Sequence, residues 1–185
     1  MSAIDRLITN YARQVRLQWA TNISGKQRVW FGVYPPSEER RLRAKMPQFE
    51  THTLEAQHGW STVDLTRILP DFLAVEKYRE KIFENPQHWR PKAALEKRAA
   101  EVVRNACAKE DADDNSVVAV IGLASLFDFM RVSTLMESIE DSVRGRLLVF
   151  FPGEYAGNVY RFMVARDGFN YMAVPITSAE SFIAQ

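Results

Sequence analysis

Two short stretches constrain the fold most. Val117-Val118-Ala119-Val120-Ile121 and Leu147-Leu148-Val149-Phe150-Phe151 are apolar without interruption. Strand side chains alternate between faces, so an unbroken apolar run needs cover on both sides. Segments of helical spacing lie around these runs. One places Ile4, Leu7, Ile8, Tyr11 and Val15 on one face. Two others carry Leu95, Ala99, Val102, Val103 and Ala106, and Val132, Leu135, Met136, Ile139 and Val143. Strands alternating with helices predict an α/β fold, a three-layer α/β/α domain around a mostly parallel sheet of about five strands. With 185 residues, 46% of them apolar, one domain over 1–185 has material for a sizeable core, with a helix in 1–20 packed on it.

Local signals give provisional boundaries. Val29–Tyr34 is aromatic and β-branched and reads as a strand, stopped by Pro35-Pro36. Ser37 is placed to cap a following helix, with Glu38 and Glu39 in its first turn and Pro47 closing it. One strand is expected within Thr51–Val63, with a break at His58-Gly59. Asp64 would cap a helical stretch reaching about Phe83, broken or bent at Pro70. Pro91 suits the first turn of the next helix, and Gly145 would end the helix that carries Val132 and Leu135. Pro152-Gly153 would close the strand from Leu147 and turn the chain, with Gly153 supplying a positive φ. Glu154 and Tyr155 would then be displayed at the carboxyl edge of the sheet. A last strand is expected over Tyr171–Ile176, with Pro175 placing it near an edge.

The formal net charge is +1, which argues against bulk nucleic-acid binding. Arg40, Arg41, Arg43 and Lys45 form the best local candidate for nucleic-acid contact, against the simpler reading of a solvated helix face. One cysteine, Cys107, excludes an intrachain disulfide framework, and a reducing, cytoplasmic setting fits. Charges at Asp5, Arg6, Arg13 and Arg16 exclude a signal peptide or membrane span in the first twenty residues.

Tests for chemistry return little. G-x-x-x-x-G-K-[ST] and G-x-G-x-x-G are absent, and the turn after the first strand, Tyr34-Pro35-Pro36-Ser37-Glu38-Glu39, removes donors and adds negative charge. A P-loop or Rossmann-like core without its phosphate loop is the expectation. Asp111 to Asn115 imitates a calcium loop, but Ser116 and Gly122 stand where glycine and glutamate are needed. His52, His58 and His88 have no metal-ligand spacing, Cys107 lies on an apolar stripe, and Ser125 lacks G-x-S-x-G. Glu154 is the strongest catalytic candidate, since ligands of open α/β sheets bind beyond the carboxyl ends of strands. Its alternative is a loop carboxylate held by nearby N–H groups or an arginine. With no companion residues for Glu154, no catalytic set, cofactor or metal is assigned.

Three stretches resemble the BrxB family of BREX phage-defence systems. They are Phe31 to Glu39 with its Y-P-P-x-E-E; Val117 to Gly122 followed by Leu126-Phe127-Asp128-Phe129-Met130-Arg131; and Leu148-Val149-Phe150-Phe151-Pro152-Gly153-Glu154-Tyr155 with Arg161-Phe162 and Tyr171 behind it. The resemblance implies a small cytoplasmic component of a multi-protein system. Such systems pair a DNA methyltransferase with an ATPase and PglZ, a protein of the alkaline-phosphatase superfamily. It implies no catalytic residues and a non-enzymatic, partner-binding role, with PglZ as the expected partner. Tyr34, Trp89 and Tyr155 would serve as exposed aromatic anchors, beside Pro35, Pro36, Glu38 and Glu154. The alternatives are a degenerate nucleotide or nucleic-acid binder, and a hydrolase built on Glu154.

Overall fold

A computed structural model describes residues 1–89, 92–165 and 168–179. The chain is α/β. Helices α1 (Ala3–Val15), α2 (Glu39–Glu55), α3 (Ile68–Ala74), α4 (Arg79–Glu84), α5 (Lys92–Cys107) and α6 (Val132–Ile139) surround strands β1 (Val29–Tyr34), β2 (Gly59–Asp64), β3 (Ser116–Ile121), β4 (Arg146–Ala156), β5 (Val159–Phe162) and β6 (Val174–Ile176). The sheet runs β2-β3-β4-β1-β6, and every pairing along that path is parallel. Strand β5 lies off it, antiparallel to the end of β4.

The apolar runs do what their composition requires. Leu148 and Phe150 face one core with Trp30, Tyr34, Val117, Ala119 and the stripe of α1. Leu147, Val149 and Phe151 face the other, with Phe31, Val118, Val120, α5 and α6. Full burial of such a side chain is worth about 1.5–3 kcal/mol, so each central strand ties both layers together. Helix α1 begins with a capping box, Ser2 and Asp5 each satisfying the other's backbone N–H. Helix α2 carries the chain from β1 to β2, the far edge, across the first face. The returns to β3 and β4 cross the second face through α5 and α6. Adjacent β1 and β4 therefore leave the sheet in opposite directions, the place where open α/β sheets hold ligands.

Several boundaries differ from expectation. Ser37 lies inside a 3-10 turn, Pro36–Glu38, that runs straight into α2, so it caps nothing. Pro47 sits inside α2 instead of closing it. A proline there costs ~3 kcal/mol. Leu42 and Phe49, buried on either side of it, and Thr53, bonded to the Tyr11 hydroxyl (2.5 Å), hold the helix together. The residues from Thr51 to Glu55 are thus helix, and only Gly59–Asp64 is strand. Asp64 ends β2, while Pro70 falls in the first turn of α3, where its missing N–H is harmless; the break comes after Ala74. Pro91 lies outside the described residues. Helix α6 ends at Ile139, before a 3-10 turn, and Gly145 comes later. Strand β6 is shorter than expected and forms an edge, as Pro175 implied.

The largest difference concerns Pro152-Gly153. Strand β4 does not stop there. It continues to Ala156 and folds back through Gly157 and Asn158 into β5. Both turn residues have positive φ, +56° and +62°, which marks a type I′ hairpin. Gly153 does not supply a positive φ; it permits close approach. A β-carbon there would run into the Arg161 carbonyl oxygen and lie 2.8 Å from the Phe151 ring. Among the described residues no helix is long and apolar enough to cross a membrane.

Candidate functional site

The carboxyl edge of the sheet is where this topology would hold a ligand. Two structures occupy it: a polar network over β1 and β2, and the β4–β5 arm.

The network centres on Arg43. Its Nε donates to Glu39 Oε1 (2.7 Å), its two terminal nitrogens to Asp64 Oδ2 (3.1 Å) and Thr66 Oγ1 (2.7 Å). Glu39 also accepts from the Tyr34 hydroxyl. Asp64 accepts from the Thr66 N–H (2.9 Å) and hydroxyl (2.5 Å), an Asx turn that ends β2. Gly122, in the left-handed region at φ +79°, lies against that turn, where a β-carbon would sit 2.6 Å from Asp64 Oδ1. Burial works against the charge on Asp64, but the Thr66 and Arg43 hydrogen bonds outweigh it and hold the carboxyl below its ordinary value. Burial likewise opposes the Arg43 charge, and Asp64 and Glu39 reverse the sign and raise it. Burial and the adjacent Glu39 push the Tyr34 hydroxyl well above its ordinary value.

These contacts decide the basic candidates. Arg41 pairs with Glu38 (2.8 Å), Arg43 with Glu39 and Asp64, and Lys45 with Asp5. Arg40 is exposed, with no ion pair among the described residues. Arg43 and Lys45 are thus held by partly buried pairs, while Arg40 and Arg41 remain at the surface.

The aromatic candidates divide. Tyr34 was expected to be exposed, but its side of β1 faces the α1 and α2 layer and it is 2% exposed. Pro35 is exposed and Pro36 half-buried beside it. Trp89 is half-buried near Phe72 and Phe129, with ring centroids 6.1 and 5.9 Å away. Tyr155 is half-buried on the arm, its ring 4.6 Å from Tyr160 and its hydroxyl donating to Asn158 Oδ1 (2.9 Å). Glu154 is on a strand, not a loop. Its side chain is 71% exposed and faces Arg161 at 3.4 Å. An exposed carboxylate facing an exposed arginine is a weak ion pair.

Most of the remaining candidates have structural partners. The Ser125 hydroxyl donates to the Gly122 carbonyl (2.7 Å). His58 stacks on Trp19 at 3.7 Å and bonds Asn115, and His52 pairs with Glu55. Asp113 accepts from the Asn115 N–H, an ordinary turn. Cys107 is buried, and burial pushes its thiol up to about 11. Among the described residues, no group of three His, Cys, Asp or Glu side chains is placed to hold a metal ion.

A cleft of about 370 Å³ opens beside the arm, between Phe127, Met130 and Arg131 on one wall and Phe162 and Phe169 on the other. Asp128, at its rim, has φ +66°, and Met163 has φ +51°. The second and third motif stretches thus meet in space. Two elements of this region were not anticipated. Strand β5 had one signal, the Gly157-Asn158 turn pair; its burial alternates, but Val159 and Tyr160 are both apolar, so the sequence itself does not. The Arg43–Asp64 pair had none, since its partners lie 21 positions apart.

A family model described as BREX protein BrxB matches residues 61–176, more than half of the chain. No curated protein and no solved structure matches it.

Proposed function

The chain belongs to the BrxB family of BREX phage-defence systems, and we propose that within such a system it is a non-enzymatic assembly subunit that binds the phosphatase-like PglZ component. The observation that carries this reading is the β4–β5 arm. It extends past the sheet, packs Tyr160 and Phe162 inward, and displays Glu154, Arg161 and one face of Tyr155. A two-stranded arm with an aromatic residue and charges of both signs suits recognition of another protein surface. At the neighbouring end of the sheet Arg43 spends its donors on Glu39, Asp64 and Thr66.

Co-expression of the tagged chain with PglZ tests this reading. The expected result is a complex that survives size-exclusion chromatography at micromolar concentration. Two folded proteins that elute separately would contradict it. The ion pairs of Arg43 with Glu39 and Asp64, and of Lys45 with Asp5, weigh against the nucleic-acid alternative, which predicts DNA binding that falls steeply with salt.

A further inference from the structure

The two edges of the sheet are treated differently. Strand β6 has three residues, one of them Pro175. Helix α1 fastens the segment after it: Arg6 Nε donates to the Ser178 carbonyl (2.9 Å), and Asn10 Nδ2 to the Thr177 carbonyl (2.7 Å). That edge is short, proline-bearing and covered. Strand β2, Gly-Trp-Ser-Thr-Val-Asp, has six residues with no proline, lysine or arginine, and no charge before Asp64. Natural sheets blunt open edges with such residues because unpaired N–H and C=O groups template a further strand. Edge β2 has one such device, the charge of Asp64 at its end.

Its free groups follow from the ladder. The N–H of Gly59 donates to the Asn115 carbonyl (3.0 Å) and that of Leu65 to the Ile121 carbonyl (2.9 Å). Odd-numbered residues therefore face β3, and Trp60, Thr62 and Asp64 turn their backbone groups outward. Thr62 and Asp64 are exposed. The amino end of the edge is bordered by apolar surface: half-buried Trp19 and Trp60, and Leu54, which is 54% exposed.

We propose that β2 is a dimer seam, along which two copies of this chain join antiparallel about a twofold axis at Thr62 to form one continuous sheet. A second copy fits for two reasons. A twofold at Thr62 sets Thr62 opposite Thr62 and Trp60 opposite Asp64, so all three outward residues on each strand find partners. It also sets no like charges face to face, because each Asp64 is already paired with its own Arg43 and meets a tryptophan. Dimerisation would give a BREX assembly two copies of the β4–β5 arm, but it does not depend on what the arm binds.

Sedimentation velocity on the purified chain tests the seam. The wild type is expected to be a dimer at micromolar concentration, with a melting temperature that rises with protein concentration, and Thr62→Lys a monomer with unchanged circular dichroism and a melting temperature independent of concentration. Thr62→Cys should cross-link into a covalent dimer under mild oxidant, because directly paired residues of this kind lie ~5.5 Å apart at Cα, within disulfide reach. The wild type, whose one thiol is buried, should not. A wild type that is monomeric at tens of micromolar overturns the proposal. A Thr62→Lys protein that remains dimeric overturns it as well, by placing the contact elsewhere.

Discussion

Gly153 lies so close to Arg161 that a β-carbon on the glycine would run into the arginine's carbonyl oxygen. The Pro152-Gly153 pair therefore does not end β4. It brings β5 against it and builds the arm.

Gly153→Ala should accordingly loosen the arm, at a cost of about 1–3 kcal/mol from overpacking. Chemical denaturation measures the loss. Gly157→Ala is the control: its β-carbon would meet nothing within 4 Å, so only the strain of φ +56° opposes it, about 1–2 kcal/mol. Hydrogen exchange should show faster opening of β5 in Gly153→Ala than in the wild type.

Pro47→Ala should raise stability. The proline breaks one backbone hydrogen bond in the middle of α2, while Leu42, Phe49 and Thr53 anchor the helix regardless. Alanine restores the donor, for a gain of about 1–3 kcal/mol in denaturant titrations.

The contrast between β1 and α2 shows what local pattern carries. Strand β1 was legible at both ends, because Val29–Tyr34 is aromatic and β-branched and prolines follow it. So was the two-sided burial of β3 and β4, since the apolar run itself demands it. Pro47 misled because its penalty is local, whereas the residues that overcome it act through packing against α1 and β4. Tyr34 misled in the same way. A tyrosine beside two prolines reads as surface, but Glu39 one turn later satisfies its hydroxyl inside the layer. The arm was half-legible: its residues stood out as a motif and its turn pair was present, yet four residues of β5 are too few to show a period. The Arg43 network joins positions that only the β1–α2–β2 crossover brings together, so no spacing revealed it.

The Arg43–Asp64 pair should appear in the pH dependence of stability. Asp64 has a folded pKa below its ordinary 3.8, so its contribution is present above that value and is lost as pH falls below it. Melting temperature followed from neutral pH into acid should therefore drop more for the wild type than for Arg43→Ala. Both groups are partly exposed, so added salt should narrow the difference. Arg43→Lys should not restore the wild-type behaviour, because one ammonium cannot span Glu39, Asp64 and Thr66 as the guanidinium does.

Cys107 should be inert in the folded protein. Burial holds its thiol up at about 11, against an ordinary value of 9.0. Reaction with a thiol reagent at mildly alkaline pH should be slow in buffer and fast in urea. The same shift makes the buried neutral thiol a contribution to stability that is complete below 9.0 and is lost as pH rises through about 11.

If the arm docks PglZ, reversing its charges should weaken the complex, and calorimetric titration of PglZ with such variants measures the loss. Glu154 and Arg161 are exposed and only weakly paired, so Glu154→Lys and Arg161→Glu should still fold, with melting temperatures lowered slightly by the like charges each sets opposite one another. The wild type should bind PglZ with a micromolar or tighter Kd, and each variant at least ten-fold more weakly, a loss of about 1.4 kcal/mol or more. Binding that is equal in all three proteins, or absent from the wild type, would contradict the account.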